Sequence, residues 1–265
     1  MNRYLTYILL IMSSVTAFAS NPKTQSEKKL HFEIDSKTLL AEDVKFAMVL
    51  TDKKGESLIN GAEFSFSHDC AIMDLSIKSS KSCAGEYYFL ATKTAYITQT
   101  RVDFLSPKKL SNIDYIQATL GDYKVSKNGK DEFSVESGIF SPGFNFKLEF
   151  KDLGDLSSHD SKLLDFIHGH HQELPRPTLM SVQHNYNYSR VMLHKTTERS
   201  VSITCYYPYK EHTTLVINYT LNYLHNVPPK FLGGPSVLEE EIKKGIIEVV
   251  KANRAYFKKE LSENR

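Results

Sequence analysis

The chain of 265 residues contains no tryptophan and only three cysteines, Cys70, Cys83 and Cys205. Their spacing matches no zinc motif, so a metal-stapled fold is not expected. Charge of one sign is lacking as well: 33 basic residues nearly balance 31 acidic ones, for a net charge of +2. A nucleic-acid binder carries a basic face or stripe, and no long like-charge run occurs here, so nucleic acid is excluded as a partner. A hydrolytic serine in a G-x-S-x-G elbow is missing, as is the HExxH pattern of a zinc hydrolase. No internal repeat or low-complexity tract is visible, and after residue 19 no apolar run approaches the roughly 20 residues that span a bilayer.

What is present begins with MNRYLTYILLIMSSVTAFA, which has the three parts of an export signal. Arg3 supplies the positive charge, residues 7–12 with Val15 form a short apolar core, and Ala17-Phe18-Ala19 offers small residues for cleavage. The expectation is a periplasmic or extracellular protein whose mature chain starts near Ser20, with no transmembrane segment after cleavage. No cysteine follows the cleavage site, so an acylated lipoprotein is not expected. In an oxidising compartment Cys70 and Cys83 can form a disulfide across a hairpin, worth about 3 kcal/mol in the chain-entropy model. Cys205 alternates with Val201, Ile203 and Tyr207 and reads as a buried, small apolar thiol.

The remaining chain is long enough for one large or two small domains with roughly three-quarters of its surface buried. Residues 20–30 are polar and aperiodic, a flexible leader. Residues 31–103 are β-rich, either a small domain or part of a larger sheet: Phe64 and Phe66 alternate with polar neighbours, and residues 87–100 are rich in Tyr, Thr, Ile and Phe. Leu39, Leu40, Val44 and Ala47 fall at helical spacing behind Ser36, although residues 44–50 also suit a strand. Ser106-Pro107 then caps a helix whose Leu110, Ile113, Ile116 and Leu120 share a face and which Gly121 ends. Asn128-Gly129 marks a hairpin between Val125 and Phe133, and Phe144, Phe146, Leu148 and Phe150 alternate as a half-buried strand.

Residues 151–180 break the pattern with a short helix and a His- and Pro-rich connection. Three strands are expected next, over residues 186–195, 199–207 and 213–224. In the last, Leu215, Ile217, Tyr219, Leu221 and Tyr223 share one face and Asn218, Thr220 and Asn222 the other, which suggests a meander with one wet face. The tyrosines crowded between Tyr186 and Tyr223 suit strands, or a cavity wall with polar handles. A long amphipathic helix ends the chain, with Ser236 and Glu239 as a capping box and Leu238, Ile242, Ile246, Val249, Val250 and Phe257 as its apolar stripe. Gly245 in its middle costs about 1 kcal/mol relative to Ala. It is read as allowing close approach of a strand, with room for a ligand as the alternative.

From Ser106 onward this order, with TTLVINYTLNYLHNVPPKFL running into PSVLEEEIKKGIIEVVKANRAYF, resembles the START-like, polyketide-cyclase-like superfamily over residues 104–260. The resemblance implies an α+β helix-grip domain over residues 104–265, an antiparallel sheet around a C-terminal helix enclosing an apolar cavity. It also implies a non-covalent carrier of a lipid or other apolar small molecule, with no cofactor and no fixed catalytic residue. The pocket would be lined by Phe144, Phe146, Ile217, Tyr219, Tyr223, Ile242, Ile246 and Val249. Arg190 and His194, both even-numbered in one predicted strand, would add a subsite for an acidic head group.

Two other readings compete. His168, His170 and His171, with Asp160, Asp165 and Glu173 nearby, could hold a zinc or copper ion and make the protein a metal-dependent hydrolase. A secreted interaction module with no small ligand would show an exposed apolar patch instead. The sequons at Asn187 and Asn218 lie within predicted strands and are read as coincidental.

Overall fold

The computed structural model describes residues 43–53, 87–136, 142–153, 174–189, 197–227 and 234–263. The signal and leader, Cys70 and Cys83, the His168–His171 cluster, and Arg190 and His194 all lie outside the described residues.

Eight antiparallel strands form one sheet in the order β1-β2-β8-β7-β6-β5-β4-β3. They are β1 (Val44–Thr51), β2 (Tyr88–Thr98), β3 (Val125–Lys127), β4 (Glu132–Val135), β5 (Phe144–Lys151), β6 (Leu179–Tyr186), β7 (Thr197–Pro208) and β8 (Thr214–Leu224). Two short helices, α1 (Pro107–Leu110) and α2 (Ile113–Leu120), link β2 to β3, and the long helix α3 (Gly234–Glu263) follows β8. The chain is therefore an α+β protein with one sheet against a C-terminal helix, a helix-grip layout. β2 pairs with β8 along its whole length, Tyr88 with Leu224 through Thr98 with Thr214, so the two N-terminal strands complete the same sheet.

Several elements depart from expectation. Residues 44–51 are the strand β1 and not part of a helix, because Val44, Phe46 and Met48 alternate along an edge strand paired with β2. The helix expected from Pro107 to Leu120 is two helices. Asn112 takes an extended conformation and its Oδ1 accepts from Asp114 N–H at 2.8 Å, starting a new helix in the middle of the apolar pattern. Gly121, at φ 64°, ends it. The Asn128-Gly129 turn is longer than two residues: Lys127 pairs with Phe133, and both Asn128 and Gly129 N–H donate to Glu132 O. The strand placed at residues 186–195 instead ends at Tyr186, where Asn187 turns at φ 54°. α3 starts at Gly234, two residues before the expected cap.

Each face of the sheet has its own core. On the face away from α3, Ala95, Ile217, Cys205 and Met180 form one cross-strand row, with Leu215, Tyr207, Leu221, Val201 and Tyr223 above and below, all buried. Cys205 sits here fully buried, and burial pushes its thiol up to about 12, so it is protonated and inert. On the other face, Tyr96, Val216 and Tyr206 pack with Leu105, Leu110, Val250 and Phe257. Arg254 fixes α3 there, donating from Nε to Ile97 O and from a terminal nitrogen to Asp43 O, both at 2.9 Å.

Candidate functional site: a cavity between the sheet and the terminal helix

α3 touches the helix-facing side of the sheet at both ends. Near its start, Leu238 and Ile242 pack with Leu50, Leu90 and Leu224; farther on, Val250 and Phe257 pack with Tyr96 and Tyr206. α2 covers the β4–β5 end of the same face, with Ile116 against Phe133, Phe146 and Leu148. Between them remains a cavity of about 490 Å³. That is within the ~300–1,000 Å³ typical of small-molecule sites.

Its walls and roof are apolar: Leu110, Ile116 and Leu120 from the α1–α2 side, Phe146, Leu148 and Phe150 from β5, and Ile242, Ile246, Val249 and Val250 from α3. The floor is different. Register places Ser181, Thr204, Asn218 and Thr94 in one row across β6, β7, β8 and β2, and Gln183, Ser202, Thr220 and Thr92 in the next. A third row carries Asn185, Ser200 and Asn222. The stripe that alternation suggests should meet water instead faces the helix.

Several of these side chains bond one another. Thr220 Oγ1 donates to Asn218 Oδ1 at 2.9 Å, so in the 2.6 Å contact between Ser202 and Thr220 it is Ser202 that donates. Asn218 Nδ2 in turn donates to Thr204 Oγ1 at 2.9 Å. A second chain runs from Gln183 Nε2 to Asn185 Oδ1 at 2.7 Å and from Asn185 Nδ2 to Ser200 Oγ at 2.6 Å. Networks of this kind permit polar groups to sit out of bulk water, because each group has a partner.

Tyrosines close one end. Tyr96 and Tyr206 flank Val216 in one row, and Tyr115 accepts a 2.6 Å hydrogen bond from Asn253 Nδ2. Burial pushes all three hydroxyls well above the usual tyrosine range, so they are neutral O–H groups at physiological pH. Asn253 is buried, and its Oδ1 has no hydrogen-bond partner in the structure. Among the described lining residues Glu241 alone carries charge, and Lys244 Nζ pairs with it at 2.8 Å.

Of the residues expected in a pocket, Phe146, Ile242, Ile246 and Val249 line this cavity. Phe144 lies outside its lining and stacks on Tyr188, ring centroids 5.1 Å apart. Ile217, Tyr219 and Tyr223 belong to the buried core of the opposite face, one pleat out of phase with the cavity. Gly245 lines the cavity, and a Cβ built there would meet no atom within 4 Å. The close strand approach expected of it is absent; the glycine leaves open space at the mouth.

Sequence reasoning missed the floor. Its signal was present as three strands in a row carrying alternating Ser, Thr, Asn and Gln opposite an almost unbroken apolar stripe. Among the described residues no group of three or more His, Cys, Asp or Glu could hold a metal ion. No described helix is long and apolar enough to cross a membrane.

No protein-family model matches the chain. No curated protein matches it in sequence. Among solved structures, a START superfamily protein from Mycobacterium smegmatis is similar at 7% identity and a TM-score of 0.42, over 64% of this chain and 97% of that one. A conserved protein from Geobacillus kaustophilus is similar at 11% identity and a TM-score of 0.39, over 62% of this chain and 93% of that one. Norcoclaurine synthase from Thalictrum flavum, in complex with dopamine and hydroxybenzaldehyde, is similar at 10% identity and a TM-score of 0.31, over 62% of this chain and 88% of that one. The likeness to the START superfamily is one of layout.

Proposed function

We propose that this is an exported, non-enzymatic protein that binds a lipid or another small molecule with a large apolar surface in the cavity beneath α3. The observation that carries the reading is the cavity itself: about 490 Å³ beside a helix that is anchored at both ends and leaves open space at Gly245. Its apolar walls supply the driving force, at roughly 25 cal/mol per Å² of apolar surface removed from water. The neutral tyrosine and amide groups at one end orient the bound molecule. Export is part of the proposal and rests on the tripartite pattern of residues 1–19.

Native mass spectrometry of the protein purified without added ligand or chelator, repeated after denaturation, tests the reading. The expected result is extra mass of small-molecule size that disappears on denaturation. A bare mass, together with no uptake of the neutral apolar dye N-phenyl-1-naphthylamine, refutes it. Detection of the N-terminus near Ser20 in the exported protein checks the signal.

A further inference from the structure

We infer that the cavity selects an uncharged, two-faced ligand: hydroxyl, carbonyl or amide groups on the face laid against the sheet, and hydrocarbon on the face toward α3. This rests on the proposed binding role and narrows the class of molecule.

The argument is one of complementarity. A purely hydrocarbon ligand would strip water from the half-buried Gln183, Ser202 and Thr204 without replacing its hydrogen bonds, and each unreplaced bond costs about 1–3 kcal/mol. A carboxylate or phosphate would fare no better. The described lining offers it no Lys, Arg or His, and its one charged residue, Glu241, is itself an acid already paired with Lys244. Burying an unpaired charge is far more costly than burying a neutral polar group.

The floor also has capacity left over. Donation runs from Ser202 through Thr220 and Asn218 and ends on Thr204, which accepts through Oγ1. Its own hydroxyl proton is left for a ligand oxygen. Thr94 stands beside Asn218 in the same row, buried to 3% exposure, and adds a second hydroxyl. Opposite this row the α3 residues Ile242, Ile246 and Val249 present hydrocarbon only. A molecule polar all round would leave the groups it turns toward these three residues without hydrogen-bond partners.

The test uses N-phenyl-1-naphthylamine as a reporter of cavity occupancy and compares two displacing probes of equal chain length, n-decyl β-D-glucoside and decanoate, both below their micelle concentrations. The expected result is displacement by the glucoside at a concentration about tenfold or more below that of decanoate, a free-energy difference of about 1.4 kcal/mol. The Thr94→Val/Thr204→Val variant, its folding checked by circular dichroism and thermal melting, should lose about tenfold in glucoside affinity relative to decanoate. Dye binding with equal or better displacement by decanoate overturns the ligand class and leaves the cavity standing. Neither dye nor glucoside bound overturns both.

Discussion

Raising the pH should unfold this protein through its buried tyrosines, and the size of the effect follows from where they sit. Tyr96, Tyr115 and Tyr206 are packed between the sheet, α2 and α3, and burial holds their hydroxyls protonated well beyond the ordinary tyrosine range. In the unfolded chain each ionises near pH 10. A folded pKa above the unfolded one contributes stability that is fully present below pH ~10 and is lost as pH rises toward the folded value. Each group then removes about 1.4 kcal/mol per pH unit. Three together remove about 4 kcal/mol by pH 11, against a total stability of about 5–15 kcal/mol for a protein of ordinary size. Tyr188, which burial pushes up to about 12, adds to the loss. Urea unfolding at pH 7, 8 and 11 should show a nearly unchanged midpoint between the first two and a steep fall at the third, to which the buried Cys205 thiol also contributes. Tyr206→Phe should recover about 1.4 kcal/mol of that fall. Tyrosinate absorbance that rises near pH 10 for every tyrosine while the urea midpoint stays fixed would refute the reasoning.

Three further outcomes follow from α3. Gly245→Ala should stabilise the protein by about 1 kcal/mol in thermal or urea unfolding, since the new methyl meets no atom within 4 Å and the helix loses its least favourable interior residue. Gly245→Phe should keep the fold yet abolish uptake of N-phenyl-1-naphthylamine; unchanged uptake would place the entrance elsewhere. Phe257→Ala, at a side chain 2% exposed between Leu105, Tyr115 and Tyr256, should cost about 3–5 kcal/mol by urea unfolding. A smaller loss would mean that the far end of α3 does not anchor the helix.

The legible parts of this fold were those with a local cause. Ser106 and Pro107 start a helix wherever they stand, Gly121 takes the positive φ that ends one, and the alternation of Phe144 to Phe150 fixes a half-buried strand. Val201, Ile203, Cys205 and Tyr207 were readable as one buried face for the same reason. The terminal helix was readable because Ile242, Ile246, Val250 and Phe257 repeat at its period over many turns. Where two local signals competed, the outcome came from elsewhere. Residues 44–51 have both helical and strand spacing, and pairing with β2 decided for the strand. At Asn112 the side chain's ability to cap outweighed an apolar repeat that runs straight through it.

By itself, then, the sequence determined that β8 has an apolar stripe and a polar stripe, because side chains alternate with period two whatever the sheet packs against. It could not determine which stripe meets α3. The usual rule sends polar residues to water, and here that rule points the wrong way: Ile217, Tyr219 and Tyr223 fill the core on the far side, while Asn218 and Thr220 face the helix. Only the tertiary structure decided this, because the answer depends on three strands bringing Ser, Thr, Asn and Gln side chains into hydrogen-bonding rows. No single strand can satisfy those groups alone. Once β7 and β8 stand side by side, Ser202, Thr220, Asn218 and Thr204 bond one another, and a polar surface becomes a floor that a helix can cover.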